Sequence, residues 1–298
     1  MNRLLVLSAV LGAAACASAG GGASAKPATA VTTPADPHPA PVAPVVPNRA
    51  RDGIHFGPSY LHYLVHRRID IVQSVQGQEQ ASKLGFGIFA SSTIQGPADS
   101  AGYPTIVVVD SIVPDSGIAL PFTVNLAAAR GLTFKGTLRP SGELRNSTPS
   151  DTSTAQALGQ VLGTFRDFYP HLPEGGLKVG AAWTDTISRS DKTGAFERLT
   201  VTSINSSRAA SIEDRGGVHS VRIELGAHVT LSGNGTQGGQ PLTLTGDGTR
   251  HSIEFVAVDG RYLGGESIDS TSLNITLPLQ GLVVPVRQVA YSTIRVLP

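Results

Sequence analysis

Eight histidines, one cysteine and 22 Asp and Glu residues are the side chains of this 298-residue chain best suited to ligating a metal or moving a proton. His62 and His66 stand four apart, which on a helix would place both on one face and let them share an ion. The residues around them alternate with a period of two, and on a strand that spacing is ~13 Å, so both read as histidines of a solvent face. Asp247 in Gly246-Asp247-Gly248 and Asp259 in Asp259-Gly260 could contribute to a calcium loop. The ligand alternation of such a loop is missing, and both read as hairpin turns. Asp185, close to Trp183, and Glu197 are the carboxylates a glycoside hydrolase would need as a pair, but nothing in the sequence fixes their distance. There is no Gly-x-Ser-x-Gly elbow, Ser116-Gly117 lacks that context, and no phosphate loop ends in Gly-Lys-Ser/Thr. The expectation is a protein with no catalytic residue, no metal and no cofactor.

The charge balance narrows the partners. Lys and Arg number 23 against 22 Asp and Glu, a formal charge of +1, and only 15% of residues are charged. That is too weak a field to hold a polyanion in salt, so nucleic acid is excluded as a partner. With 40% hydrophobic residues the chain can build a core, while 34 Gly and 20 Pro mark it as rich in turns.

The N-terminus carries an address. Asn2 and Arg3 precede an apolar run from Leu4 to Leu11 that ends in Ala13-Ala14-Ala15-Cys16. This is the three-part layout of a secretory signal, too short to span a bilayer. Residues 13–16 resemble the lipobox of bacterial lipoproteins, with Ala13 where the usual pattern has Leu. The resemblance implies removal of residues 1–15 and acylation of Cys16, the only cysteine in the chain. Acyl chains contribute ~0.8 kcal/mol per buried methylene and would hold the protein on a membrane. Ala17, not Asp, follows the cysteine, which by resemblance to enterobacterial sorting implies the outer membrane. Cleavage after Ala17 or Ala19 would instead discard Cys16 and leave a periplasmic protein. Residues 16–50 are Ala, Pro, Gly, Thr and Val with almost no charge, a disordered tether between anchor and domain.

About 248 residues from Arg51 onward remain for one β-rich globular domain. In 218–231, Val221, Ile223, Leu225, Ala227, Val229 and Leu231 alternate with Arg222, Glu224, Gly226, His228 and Thr230, as on a strand with one dry face. In 61–75, Leu61, Tyr63, Val65, Ile69 and Ile71 share a face opposite His62, His66, Arg68 and Asp70, and Leu84, Phe86 and Ile88 continue the pattern. Further strands are expected over 105–112, 120–126, 132–138, 196–204, 242–245, 251–258, 270–277 and 283–296, with turns at Asn234-Gly235, Asp259-Gly260 and Pro140 to Gly142. Leu158, Val161, Leu162, Phe165 and Phe168 recur at helical spacing behind a capping box of Ser153 and Gln156, and Pro170 ends the run. They predict one amphipathic helix near 153–169 lying on the sheet. The fold class is therefore mainly β, α+β: a large curved antiparallel sheet or half-open barrel under one covering helix. The flanks 51–148 and 177–298 read either as two similar halves or as two unrelated β segments of one sheet.

From Pro173 the chain runs through Val179-Gly180-Ala181-Ala182-Trp183, a polar turn delivering Trp183 into the core; Tyr262-Leu263 and Val284-Pro285-Val286 to Thr293-Ile294 follow. In these motifs, residues 60–298 resemble an uncharacterised family of bacterial lipoproteins whose domain has no assigned function. The architecture also resembles the periplasmic lipoprotein-carrier half-barrels that hold acyl chains. These resemblances imply a cell-envelope lipoprotein that binds a lipid or other hydrophobic ligand. The concave sheet face for it would contain Leu225, Ala227, Val229, Phe86 and Ile88, which read alternatively as plain core, since every sheet must bury one face. The alternative is a structural or protein-interaction lipoprotein of the envelope.

Overall fold

Side chains that recur at every second position and are all but excluded from water require a strand with one covered face. That pattern dominates the chain. The computed structural model describes residues 53–99, 101–117, 125–162, 165, 168–193 and 196–298. The signal segment, Cys16 and the tether lie outside the described residues. Five strands come first: β1 (Ser59–Val75), β2 (Gln78–Ile94), β3 (Tyr103–Pro114), β4 (Thr133–Leu138) and β5 (Leu144–Pro149). Six follow: β6 (Ala182–Thr193), β7 (Phe196–Arg215), β8 (Val218–Gln237), β9 (Gln240–Ala257), β10 (Tyr262–Leu277) and β11 (Leu282–Leu297).

All eleven form one open antiparallel sheet in the order β5-β4-β3-β2-β1-β11-β10-β9-β8-β7-β6. Two meanders are thus joined where β1 pairs with β11, from His62 opposite Leu297 to Gln73 opposite Val286. Tight turns set the register. Gly216-Gly217 and Gly238-Gly239 have φ of 63°, 83°, 58° and 77°, the left-handed pair that a two-residue hairpin requires and that side-chain-free residues adopt at least cost.

One face carries the core. On β8, Val221, Ile223, Val229 and Leu231 are buried, as expected, while Leu225 and Ala227 are half-buried. The residue rows crossing the strands keep to one face, as in Ile69, Ala290, Asp269, Arg250, Ala227, Asn205 and Asp185.

The segment between β5 and β6 leads from one outermost strand of the sheet to the other. It supplies Leu158, Val161, Leu162, Phe165, Phe168, Tyr169, Leu172 and Leu177 to the core, none more than 4% exposed. The expected helical stripe is therefore buried, but it is not one helix over 153–169. Helix α1 (Thr152–Ala157) ends at Leu158, whose φ of −99° and ψ of 11° leave helical geometry, and α2 (Gly159–Leu162) is a single turn. The cap is Asp151, which accepts from the Ser153 and Thr154 N–H groups, so Ser153 and Gln156 do not form a capping box.

Other expectations need correction. Asn234-Gly235 is not a turn: it lies within β8 opposite Thr243 and Leu242. Neighbouring Gly233 lies beneath the Phe196 ring, 3.1 Å from where a Cβ would stand. Gly246-Asp247-Gly248 is likewise strand, because β9 runs unbroken across the gap between the two short strands expected there. Of the strand expected over 120–126, residues 120–124 lie outside the described residues, and Leu126 begins a 3-10 turn, Leu126–Ala129. Strands β5 and β6 have no counterpart among the expected strands.

Candidate functional site

The core face is not uniformly apolar. Midway along β1 the alternation Tyr63, Val65, Ile69, Ile71 is interrupted by Arg67, which the pleat places on the same covered face, 3% exposed. On β10, Asp269 and Thr271 occupy core-face positions at 1% and 3% exposure, and on β11 Gln288 does so at 1%. Ser203, Asn205 and Ser207 on β7, Ser252 on β9 and Ser292 on β11 extend these into a buried polar belt. Val229, Leu225 and Ala227 lie within the belt, so the apolar lining expected from them is flanked by polar rows on both sides. Phe86 and Ile88, on β2, are buried core.

Arg67 reaches across β11 to Asp269, with Nη2 3.6 Å from Oδ2. That separation is an ion pair and exceeds hydrogen-bond length. Burial pushes the Asp269 carboxyl up to about 7, against the pull of the Arg67 and Arg250 charges. Asp269 Oδ2, Thr271 Oγ1 and both amide atoms of Gln288 make no hydrogen bond among the described residues. Thr271 and Gln288 sit directly opposite one another in the β10–β11 register, which puts these two unsatisfied side chains side by side. Each such group costs about 1–3 kcal/mol when left dry, and buried polar groups in folded proteins ordinarily have partners. Together these groups offer both hydrogen-bond donors and acceptors.

Towards the segment between β5 and β6 the belt gives way to interlocked rings. Tyr63 and Phe168 meet edge to face at 4.9 Å, and Phe168 and Tyr169 at 5.1 Å. Their polar ends are satisfied: the Tyr63 hydroxyl donates to the Tyr262 carbonyl at 2.9 Å, the Tyr262 hydroxyl to Glu254 Oε2, and Tyr169 shares a hydrogen bond with Ser92. Burial raises the Tyr63 and Tyr262 hydroxyls well above their usual range and that of Tyr169 to about 12. It also raises the Glu254 carboxyl to about 7, although the Tyr262 hydrogen bond pulls the other way. At the opposite end, Leu273, Ile275, Val284, Val286 and Leu244 complete an aliphatic zone.

The residues singled out by sequence fall elsewhere. His62 and His66 do lie on the solvent face, His62 beside Ser91 at 3.1 Å and His66 paired with Asp115 at 3.0 Å. Asp185 lies 3.3 Å from His171, whereas Glu197 is exposed. Asp185 pairs with Asn205, eight residues from Glu197 along β7, so the two carboxylates are about 26 Å apart and cannot act as a pair. Asp247 is exposed on a strand, and Asp259 in its turn pairs with Arg261 at 2.8 Å. Trp183 is half-buried against the core, its Nε1 donating to the His171 carbonyl. Cys16 lies outside the described residues. Sequence reasoning missed Arg67, Asp269, Thr271 and Gln288. The signal for them was a polar residue at a position where the period-two rule demanded an apolar one.

Compared with known protein families, the chain matches no family model, and no curated protein matches its sequence.

Proposed function

We propose that this chain is a cell-envelope lipoprotein, exported behind residues 1–15 and anchored through Cys16, that binds a small hydrophobic or amphiphilic molecule on the core face of its sheet. A sheet whose core face has only short helices to cover it supports the reading of a sheet curled towards a half-open barrel. The outer membrane is the expected home, and membrane and ligand, not nucleic acid, are the partners. No reaction is assigned to it. The likeness to an uncharacterised lipoprotein family and to half-barrel lipoprotein carriers belongs to this same reading.

The observation that carries the reading is the unsatisfied pair Thr271 and Gln288 beside the Arg67–Asp269 ion pair, buried between an aromatic and an aliphatic zone. An amphiphile with a polar group at the belt and an apolar body along either zone satisfies those groups and adds ~25 cal/mol per Å² of apolar area removed from water. The test is native mass spectrometry of the full chain extracted from membranes. A co-purifying small molecule is expected, retained by the unaltered protein and lost from Gln288→Leu/Thr271→Val. An empty protein, with a double variant at least as stable as the parent, would defeat the proposal. Radiolabelled fatty acid should enter the protein and fail to enter Cys16→Ser.

A second reading, a protein-interaction role in the envelope, is favoured by one feature. Among the described residues β6 pairs only with β7, leaving the other side of a twelve-residue strand open for an added strand.

A further inference from the structure

On the solvent face, away from the belt, a β-bulge assembles a second polar constellation. In the β2–β3 ladder Phe89 faces Ser111 and Ala90 faces Val109, so Asp110 is the extra residue, and its side chain is re-aimed. It meets Ser91, whose hydroxyl donates to Asp110 Oδ2 at 2.7 Å and also contacts His62 Nδ1 at 3.1 Å. A serine hydroxyl has one proton, and here Asp110 takes it. The His62 contact is therefore Nδ1–H donating to Ser91 Oγ. The relay thus presents the Asp110 carboxylate as its hydrogen-bond acceptor, held in place through Ser91.

His62 and Asp110 also line an open cavity of about 630 Å³, in the range of small-molecule sites. Ser111 and Arg130 line it too, together with the apolar Phe89 and Leu297, and Tyr63, Ala90 and Pro298 complete the lining. Arg130 caps the 3-10 turn Leu126–Ala129 and makes no ion pair among the described residues. One cavity thus offers a cation that makes no ion pair among the described residues, one side-chain carboxylate and an apolar patch. A plain anion would meet Asp110 as a like charge, and a plain cation would meet Arg130. A molecule bearing both charges meets each with its complement.

We propose that this cavity binds a small zwitterion, a free α-amino acid, with its ammonium group at Asp110, its carboxylate at Arg130 and Ser111, and its side chain against Phe89 and Leu297. The site is independent of the core-face reading, since none of its residues belongs to the belt.

Isothermal titration of the full chain in detergent with glycine, L-alanine, L-leucine and L-phenylalanine tests it. At least one should bind, and both its N-acetyl and its carboxamide derivative should bind roughly tenfold or more weakly, each having lost one charge. Asp110→Asn and Arg130→Gln should each weaken the free amino acid by a similar factor, while Gln288→Leu should leave its binding unchanged. Silence from all four amino acids at about 10 mM overturns the proposal, because that is weaker than two charge-assisted contacts allow. So does an N-acetyl derivative that binds as well as the parent compound, which would make the cavity a simple anion site. The blocked ligands report on the unaltered protein, so the test remains decisive even if a variant misfolds.

Discussion

The aromatic end and the polar belt share one face, the same central strands and nearly the same exclusion from water, yet they treat polar groups in opposite ways. At the aromatic end the hydroxyls of Tyr63, Tyr169 and Tyr262 all have partners, and the rings interlock around them. In the belt, Thr271 and Gln288 have none, and the Arg67–Asp269 pair is held beyond hydrogen-bond length. Burial alone therefore does not separate the two regions; hydrogen-bond satisfaction does. Under the proposed function, a bound molecule completes the unsatisfied cluster.

The comparison breaks first if the aromatic end is not structural. Phe168 touches Tyr63, Tyr169 and Tyr262 and is 2% exposed. Phe168→Ala should lower stability by about 3–5 kcal/mol, read as the shift of the urea midpoint at constant slope. A loss below about 1 kcal/mol would mean that the rings are loosely held and the contrast with the belt is false.

The next effect is one of pH. Glu254 is raised from 4.5 to about 7, so between those values the folded protein holds a proton that the unfolded chain releases. Its contribution to stability is fully present below about pH 4.5 and is lost as pH rises through about 7, a span of about 3 kcal/mol. Asp269, raised from 3.8 to about 7, acts in the same direction. Stability should fall from mildly acidic to mildly alkaline solution, and Glu254→Gln should flatten the slope. If the unaltered protein is flat across that window, both carboxylates titrate normally and the belt and its neighbour are wetter than their burial implies. A smaller step follows at Tyr63→Phe, which removes one satisfied hydrogen bond and should cost about 1 kcal/mol in the same urea assay.

Much of this architecture could be read from period-two alternation, because most long strands pair one wet face with one dry one; β2, exposed over Gln78–Lys83 and mostly buried on both faces beyond, does not. What was lost is equally physical. β5, with the sequence Leu-Arg-Asn-Ser-Thr-Pro, and β6, where Thr and Ser alternate with Trp183, Asp185 and Ile187, are the outermost strands and carry too little apolar contrast to register. Asn-Gly at 234–235 is a strong hairpin signal, but small residues there make room for Phe196, and packing prevails over turn propensity. The helical stripe correctly identified buried residues, though burial needs only the spacing and not an unbroken helix. The belt was half visible. Arg67 and Gln288 interrupt their apolar rows in plain sight, but their neighbourhood depends on the last strand pairing with the first, which no local pattern encodes. The acidic relay at His62 was hidden for a similar reason, since Asp110 reaches Ser91 only through a bulge.

The smallest effect discriminates most sharply. Removing one partner from a satisfied pair exposes an orphan, whereas replacing groups that are already orphaned removes a cost. Gln288→Leu with Thr271→Val should accordingly change the stability of ligand-free protein by no more than about 1 kcal/mol in either direction, the lost amide and hydroxyl being offset by better apolar burial. The same double variant should lose the stabilisation that a bound amphiphile confers, RT ln(1 + [L]/Kd), so that the parent alone shows a melting temperature that rises with ligand. A large loss in the ligand-free state would show instead that ordered water already completes these groups, making the belt as structural as the rings beside it. The distinction then rests on whether unpaired atoms deep in one face are paired by solvent trapped at folding or by a molecule acquired afterwards, and only the ligand-dependent shift separates those two.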